Sequence, residues 1–237
     1  MMAPDFSRLL FAEGWLQALA EGAIRTLGIS LGAFVLGLVL GLSVALLKLW
    51  GPRWLVIWAN CYTTLYRAVP ELLLILLLYY AGSDLLNLLM AAAGQPPVEV
   101  NGFLAAIVVL GIVQGAYSAE IIRGAIEAIP VGQVEAARAY GMRPLLVLRR
   151  VLLPSMLPHV VAGLSNLWLV LVKDSALISV VGYSELLGAG RQAAASTKHY
   201  LMFYLVVAAF YYVITLCSGL VFRRIEARFE RWMPRLA

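Results

Sequence analysis

Five segments of the chain are long and apolar enough to cross a lipid bilayer as helices, and they constrain the fold more than any other feature. A bilayer core takes about 20 apolar residues in helical conformation. The segments lie at residues 23–47, 54–80, 102–122, 159–181 and 201–222. Of all residues, 62% are hydrophobic and only 13% are charged, whereas a globular domain has about 25% charged residues. The sequence therefore predicts an all-α integral membrane protein with about five transmembrane helices.

The rest of the chain divides around these spans. Residues 6–20 predict a short amphipathic helix on the membrane surface, so residues 1–21 form an interfacial N-terminal segment. Residues 22–222 form the transmembrane domain, and residues 223–237 form a basic tail. Residues 84–100 contain turn-forming Gly and Pro and predict a loop. No cleavable signal peptide is apparent, and we expect the first long apolar segment to act as an uncleaved anchor.

The distribution of Lys and Arg predicts the orientation in the membrane. One set of loops and the C-terminal tail hold twelve of the 18 basic residues: Lys48, Arg53, Arg123, Arg138, Arg143, Arg149, Arg150, Arg223, Arg224, Arg228, Arg231 and Arg235. The opposite side has only Arg8, Arg25, Arg191 and Lys198. Positively charged loops remain in the cytoplasm, which predicts a cytoplasmic C-terminus and an N-terminus outside. The same rule explains the net charge of +5 without nucleic-acid binding.

Ionisable residues inside or near the ends of the spans are the first candidates for function. They are Arg67, Glu71, Glu120, Lys173 and Asp174. Each costs about 3 kcal/mol or more at the bilayer centre, so such groups usually face a bundle interior or a wet cavity. Lining of a solute path is one interpretation. An ion network that braces the helices is the alternative, and the sequence leaves both open.

Two local arrangements refine these candidates. Arg67 and Glu71 are four positions apart across Pro70, which we expect to kink the helix, and a salt bridge between the two is as plausible as solute contact. Glu120 can pair with Arg123 on its own helix. Lys173 and Asp174 are neighbours, so on a helix their side chains point about 100° apart.

Other side chains indicate packing and no catalysis. Gly28 and Gly32, and likewise Ala33, Gly37 and Gly41, recur at four-residue spacing, which favours close helix contact within the bundle over a dimer interface. Cys61 and Cys217 both lie in apolar runs and are expected to be buried thiols. The sequence has no metal-binding His/Glu cluster, no nucleophile with an obvious base and no Gly-rich phosphate loop. We therefore expect no enzyme activity and no cofactor in this chain.

The stretch from Glu135 to Pro154 reads EAARAYGMRPLLVLRRVLLP. Residues 135–139 favour a helix, and Gly141 breaks it because glycine reaches positive φ at little cost. A second helix with an apolar stripe follows, and Pro154 and Pro158 are predicted to close it. A helix, a sharp turn and a second helix would fit a groove on a soluble partner.

The spacing of this stretch resembles the EAA loop of ABC-importer permeases, EAA-x3-G-x9-I-x-LP, with Val151 at the Ile position. The segments 62–71, 115–124 and 173–182 resemble the polar amino acid branch of that family, which serves histidine, arginine/ornithine and octopine/nopaline uptake. The resemblance implies a type I importer permease with cytoplasmic coupling helices (loop 123–158) in the bacterial inner membrane. The expected solute is a polar, cationic amino acid or an opine.

The resemblance also implies partners and residue roles. Two ATPase subunits would bind ATP and Mg, a homologous permease would complete a heterodimer in preference to a homodimer, and a periplasmic solute-binding protein would deliver the solute. Membrane lipid surrounds such a subunit, and nucleic acid has no role. Coupling to the ATPase would fall to Glu135, Ala136, Ala137, Gly141 and Pro154. The solute path would be lined by Arg67, Glu71, Tyr117, Glu120, Lys173 and Asp174.

Three other classes of protein compete with this interpretation. An ion-coupled secondary transporter or channel could use the buried carboxylates without any ATPase. An integral-membrane enzyme would need catalytic residues that the sequence does not show. A structural membrane scaffold is compatible with the composition, and only the EAA spacing argues against it.

Overall fold

The computed structural model describes residues 14–230, and within that range the secondary structure is helical with no strand. This confirms the predicted all-α class. The first five helices are α1 Trp15–Trp50, α2 Arg53–Ala68, α3 Glu71–Ala92, α4 Gly102–Glu127 and the short α5 Val131–Ala139, which lies in the loop after α4. The remainder comprises α6 Pro144–Val147, a π-helical turn Leu148–Leu152, α7 Leu153–Asp174, a 3-10 helix Ser175–Val181, α8 Leu186–Thr197 and α9 Tyr200–Glu230.

Five stretches of the described chain are long and apolar enough to cross a membrane, as the sequence predicts. They are Trp15–Trp50, Glu71–Ala92, Gly102–Glu127, Pro144–Val181 and Tyr200–Phe229.

The second predicted span, residues 54–80, is wrong in its bounds. The chain breaks between α2 and α3, because Pro70 disfavours helical conformation at the residue before it, and Val69 is extended with a ψ of 140°. The spanning helix is therefore α3, which begins directly after Pro70. The predicted loop at 84–100 begins later than expected. Because the spanning helix starts only at Glu71, it continues to Ala92.

The N-terminal prediction is also wrong over the described residues. Trp15 to Ala20 continue straight into α1 and do not form a separate surface helix, while residues 6–13 lie outside the described range. Leu19 and Ala23 pack in a cluster with Leu186 of α8 and Phe203 of α9. This start of α1 is buried by elements that come more than 160 residues later in the chain, so local amphipathicity could not predict its place.

The closest helix pair in the bundle is α1 with α4, and its contact confirms the predicted role of the small residues. Gly28 packs on Phe103, Gly32 on Ile107, and Gly37 on Gln114. A Cβ at Gly37 would lie 2.8 Å from Cβ of Gln114, which is closer than side chains approach. The glycines therefore allow the two backbones to meet within one chain.

Pro154 and Pro158 were predicted to close the second helix of the loop, and this prediction is wrong. The chain stays helical from Pro144 through a π-helical turn into α7. Pro154 falls in the first turn of α7, where a missing N–H costs little. Pro158 lies inside α7.

Cys61 and Cys217 are both exposed on the surface of the chain, so the prediction of buried thiols is wrong. Each lies on a helix face that is apolar but does not pack on the rest of this chain. An apolar sequence in a membrane protein does not separate residues that face the core from residues that face lipid, since both surroundings are apolar.

Candidate solute path and coupling surface

Two carboxyl groups and a tyrosine meet where α3, α4 and the end of α7 come together. Glu71 is the first residue of α3, placed there by the break at Pro70, and Asp174 is the last residue of α7. Glu71 lies within interacting range of both the Tyr117 hydroxyl on α4 and the Asp174 carboxyl. All three side chains are partly buried. The structure thus brings together three predicted path residues and forms an acidic pair beside a phenol.

Lys173 is the cation nearest to this acidic pair along the chain. Its side chain is exposed, and its charge acts on the neighbouring Asp174. Among the described residues it forms no ion pair within 4.0 Å. The pair of acids therefore has no close counter-ion in this conformation of the chain.

Arg67 also contacts Tyr117. Its guanidinium carbon is 6.0 Å from the centroid of the Tyr117 ring, within range of a cation–π contact. One of its nitrogens is 3.9 Å from Glu120 Oε2, and its side chain is 49% exposed. The predicted alternative, a salt bridge with Glu71, is not formed. Arg67 is thus an accessible cation that contacts the same tyrosine as the acidic pair.

Glu120 is committed to ion pairs in this conformation. Its Oε1 accepts a hydrogen bond of 2.5 Å from Lys48 Nζ of α1, and its Oε2 accepts one of 2.8 Å from Arg123. Lys48 also contacts the Thr63 hydroxyl of α2, and its side chain is only 6% exposed. The predicted Glu120–Arg123 pair is confirmed, and α1, α2 and α4 are tied together.

The pairing of Lys48 with Glu120 was missed in the sequence, which assigns Lys48 to a cytoplasmic loop. No sequence signal joins two residues so far apart in the chain. A polar pocket of about 380 Å³ adjoins the pair and is lined by Lys48, Asn60, Thr63, Arg67, Glu120 and Arg123. Glu120 thus fits the bracing alternative, and the acidic pair Glu71–Asp174 fits it less well.

The loop between α4 and α7 carries the predicted coupling residues. α5 ends at Ala139, and Gly141 follows with a φ of 73°, as the sequence predicts. The Met142 N–H donates to the Ala137 carbonyl at 3.1 Å, which satisfies a free carbonyl of the helix end. The sharp turn is therefore fixed by backbone hydrogen bonds.

This loop presents both apolar and charged groups at its surface. Glu135 and Ala136 are exposed, whereas Ala137 is buried. Tyr140 and Leu145 are also exposed. A cavity of about 340 Å³ lies beside them and is lined mainly by apolar side chains of α1, α5 and α6. Pro154 lies one helix further on, in α7, and is not part of the turn.

One buried acid was missed entirely. Glu185 is 0% exposed. Its carboxylate accepts hydrogen bonds from Leu187 N (2.8 Å), Gly188 N (2.9 Å), the Tyr211 hydroxyl (2.9 Å) and the Thr26 hydroxyl (3.2 Å). Burial raises the pKa of the Glu185 carboxyl, and these hydrogen bonds oppose the rise. The residue caps α8 and ties it to α1 and α9. Glutamate is not among the residues that are preferred as N-caps, so no capping signal in the sequence marked Glu185.

The described part of the chain offers no metal site. Within residues 14–230, no three His, Cys, Asp or Glu side chains are grouped so that they could hold a metal ion. His159 lies inside α7 and His199 directly precedes α9, and neither belongs to such a group.

Comparison with known proteins covers nearly the whole chain. Residues 18–231 match the family model described as "Binding-protein-dependent transport system inner membrane component". The octopine transport system permease protein OccQ of Rhizobium radiobacter is 36% identical over 234 residues, covering 98% of this chain and 99% of OccQ. The histidine/lysine/arginine/ornithine transport system permease protein HisQ of Escherichia coli (strain K12) is 35% identical, covering 94% of this chain and 97% of HisQ.

A solved structure is similar in fold as well as in sequence. It is described as an amino acid ABC transporter with histidines, and it superposes with a TM-score of 0.80 at 30% identity. The match covers 96% of this chain and 100% of the solved chain.

Proposed function

Because the chain belongs to the family of binding-protein-dependent transport system inner membrane components, a family of ABC-importer permeases, we propose that it moves a cationic amino acid or an opine. The direction is inward across the bacterial inner membrane. The energy comes from two ATPase subunits that bind ATP and Mg. A periplasmic binding protein delivers the solute, and a homologous permease completes a heterodimer.

The observation that carries the proposal is the acidic pair Glu71–Asp174 beside Tyr117. Two carboxyl groups without a close counter-ion attract a guanidinium or an ammonium group, because an opposite charge within a few ångströms favours their ionised form. Arg67, which contacts the Tyr117 ring, supplies a cation for the solute carboxylate, and a guanidinium binds a carboxylate in bidentate fashion. A cationic amino acid carries both groups. Lys173 lies at the edge of the same region.

The names of similar proteins agree with this solute class. OccQ is named for octopine, and HisQ is named for histidine, lysine, arginine and ornithine. An amino acid with a positive side chain, or an opine derived from one, presents the charges that the two acids and Arg67 would bind.

The loop around Gly141 is proposed to transmit the motion of the ATPase. Its exposed apolar and acidic side chains lie on a turn that is held by its own backbone. ATP binding on a partner would move this rigid turn and, with it, the cytoplasmic ends of α4 and α7. Transport then requires two packings of the bundle, with nucleotide and loaded binding protein favouring different ones.

The orientation follows from the charges. Arg138, Arg143, Arg149 and Arg150 in the coupling loop favour a cytoplasmic location for it by the positive-inside rule, on the side where an ATPase can reach it. The N-terminus is then periplasmic and the C-terminus cytoplasmic.

The proposal is tested by uptake into liposomes that contain the complete importer, prepared by co-purification with whatever subunits the tagged chain retains in mild detergent. We expect an ATPase among them. We expect Glu71→Gln and Asp174→Asn to reduce uptake of arginine by about tenfold or more, since each removes a charge contact of about 1.5–3 kcal/mol. Asp84→Asn, on the same helix α3 and exposed, is the matched control and should transport normally.

Two results would overturn the proposal. A tagged chain that is isolated alone, and transports when reconstituted alone, would exclude ATP-driven import. Normal arginine uptake by both the Glu71 and the Asp174 variants would leave the importer assignment intact but exclude the acidic pair as the solute site.

A further inference from the structure

A crevice of about 360 Å³ lies between α1, α7 and α9, away from the acidic pair. Its lining includes Leu31 and Phe34 of α1, Trp168 of α7, and Cys217, Ser218 and Phe222 of α9. The Trp168 ring packs edge-on against Phe34, with ring centroids 5.4 Å apart, and lies 6.2 Å from Phe222. The crevice is thus an aromatic, mainly apolar slot on the side of the bundle.

Two hydrogen-bond donors of this lining have no acceptor among residues 14–230. The Trp168 indole N–H is buried and unpartnered, and the Ser218 hydroxyl forms no hydrogen bond with any described residue. A donor without an acceptor is costly in apolar surroundings. The Trp168 N–H lies beneath the protein surface, so of these two donors only the Ser218 hydroxyl is available to a ligand, which should otherwise be apolar along most of its length.

Directly after the crevice residue Phe222, helix α9 becomes positively charged. Phe222 is followed by Arg223 and Arg224, and Arg228 comes one turn later; all three are exposed. None of them forms an ion pair with a described acid. From Cys217 to Arg224 the rise along α9 is about 10 Å. The apolar crevice and a cluster of arginines that pair with no described acid therefore lie within the length of one lipid molecule, and Arg223 Nε also donates to the Gly219 carbonyl at 3.3 Å.

We propose that this crevice binds an anionic phospholipid, with an acyl chain against Trp168 and Phe222 and the phosphate at Arg223 and Arg224. Basic residues that directly follow a transmembrane helix attract anionic lipid. The crevice adds a binding place for the acyl chain of the lipid, which a surface cluster of arginines alone would lack. A zwitterionic phospholipid has the same chains but lacks the net charge that the arginines would bind.

The test uses the complete importer in mild detergent and phospholipids with brominated acyl chains, which quench tryptophan fluorescence on contact. The signal of Trp168 is the difference between the parent protein and Trp168→Phe. We expect brominated phosphatidylglycerol to quench this signal at a lower mole fraction than brominated phosphatidylcholine does. Arg224→Gln should raise the half-quenching mole fraction of phosphatidylglycerol about fivefold, and Arg223→Gln with Arg224→Gln about 25-fold.

Two variants separate the charge from the groove. Arg53→Gln removes an exposed arginine at the start of α2 and is the matched control for Arg224→Gln; it should leave quenching unchanged. Ser218→Phe fills the crevice without altering any charge and should reduce quenching by phosphatidylglycerol while the arginines remain.

The outcomes that contradict the proposal are distinct. Equal quenching by the two lipids, unaffected by the arginine variants, would mean that only ordinary boundary lipid touches Trp168. Absence of quenching by either lipid would mean that a protein subunit covers the crevice.

Discussion

Arg67 pairs with Glu120, at 3.9 Å, although Glu71 is the acid that sequence spacing places beside it. The break at Val69 and Pro70 accounts for the difference, because it removes Glu71 from the helix that carries Arg67. Arg67 therefore contacts an acid that Lys48 and Arg123 already neutralise, and it also contacts Tyr117, which lies beside the acidic pair that has no close counter-ion. An arginine in that position can exchange Glu120 for a solute carboxylate at little electrostatic cost.

The Lys48–Glu120 pair predicts a large loss of stability when one partner is removed. Glu120→Leu leaves the Lys48 ammonium, with a side chain 6% exposed, without its carboxylate, and breaking a buried pair costs about 3–5 kcal/mol. We expect Lys48→Met with Glu120→Leu to be more stable than Glu120→Leu alone. Thermal unfolding of the detergent-solubilised chain measures both. Equal melting temperatures for the single and double variants would contradict the pairing.

Gly141 predicts a defect in coupling that is separate from folding. Gly141→Pro cannot adopt the φ of 73° since proline is fixed near −65°, and it also loses the N–H that donates to the Arg138 carbonyl at 2.9 Å. We expect the variant to reach the membrane and to lose ATP-dependent uptake. Glu135→Lys, which reverses an exposed charge on the same loop, should have the same effect.

Gly132→Ala is the matched control for these two variants, because Gly132 lies in α5, the helix that carries Glu135 and ends just before Gly141, and its φ is not positive. It should transport at the parental rate. Normal uptake by Gly141→Pro or by Glu135→Lys would show that the loop is not the coupling element.

Lys173→Ala is predicted to impair transport while leaving stability almost unchanged, in contrast to Glu120→Leu. The side chain is exposed and forms no ion pair with a described residue, so Lys173→Ala should change the free energy of unfolding by less than about 0.5 kcal/mol. We expect uptake of a cationic amino acid to fall several-fold, because the Lys173 ammonium would bind the solute carboxylate beside the acidic pair. Uptake and melting temperature are measured on the same preparation. A variant that fails to assemble, with no separate transport defect, would support a bracing network instead.

The sequence predicted the parts of the fold that depend on local chemistry. Apolar length located the spans, and the Gly141 turn followed from glycine's access to positive φ. The small residues of α1 were correctly assigned to packing within the chain. The bounds of the second span were wrong although the sequence offers a distinction, because residues 71–92 are apolar and long enough to span whereas residues 53–68 are shorter and far less apolar. Pro70 marks the break between the two segments.

The parts of the candidate site that were missed depend on long-range contacts. Lys48 with Glu120, and Thr26 and Tyr211 with Glu185, join residues from distant parts of the chain. The exposure of Cys61 and Cys217 could not be inferred either, since faces toward lipid and toward the core have the same composition.

Glu185 predicts that the end of the bundle near α8 depends on one carboxylate. Glu185→Ala would leave the N–H groups of Leu187 and Gly188 and the Tyr211 hydroxyl without their acceptor, and each unsatisfied buried donor costs about 1–3 kcal/mol. We expect a loss of about 3 kcal/mol or more in the free energy of unfolding, and about 1–2 kcal/mol for Tyr211→Phe, which removes only one donor. Glu21→Ala, at an exposed acid of α1, should stay within about 0.5 kcal/mol. Thermal unfolding in detergent ranks the stabilities of the three variants. Equal stability of Glu185→Ala and Glu21→Ala would show that the hydrogen bonds to Glu185 do not hold α8 against α1 and α9.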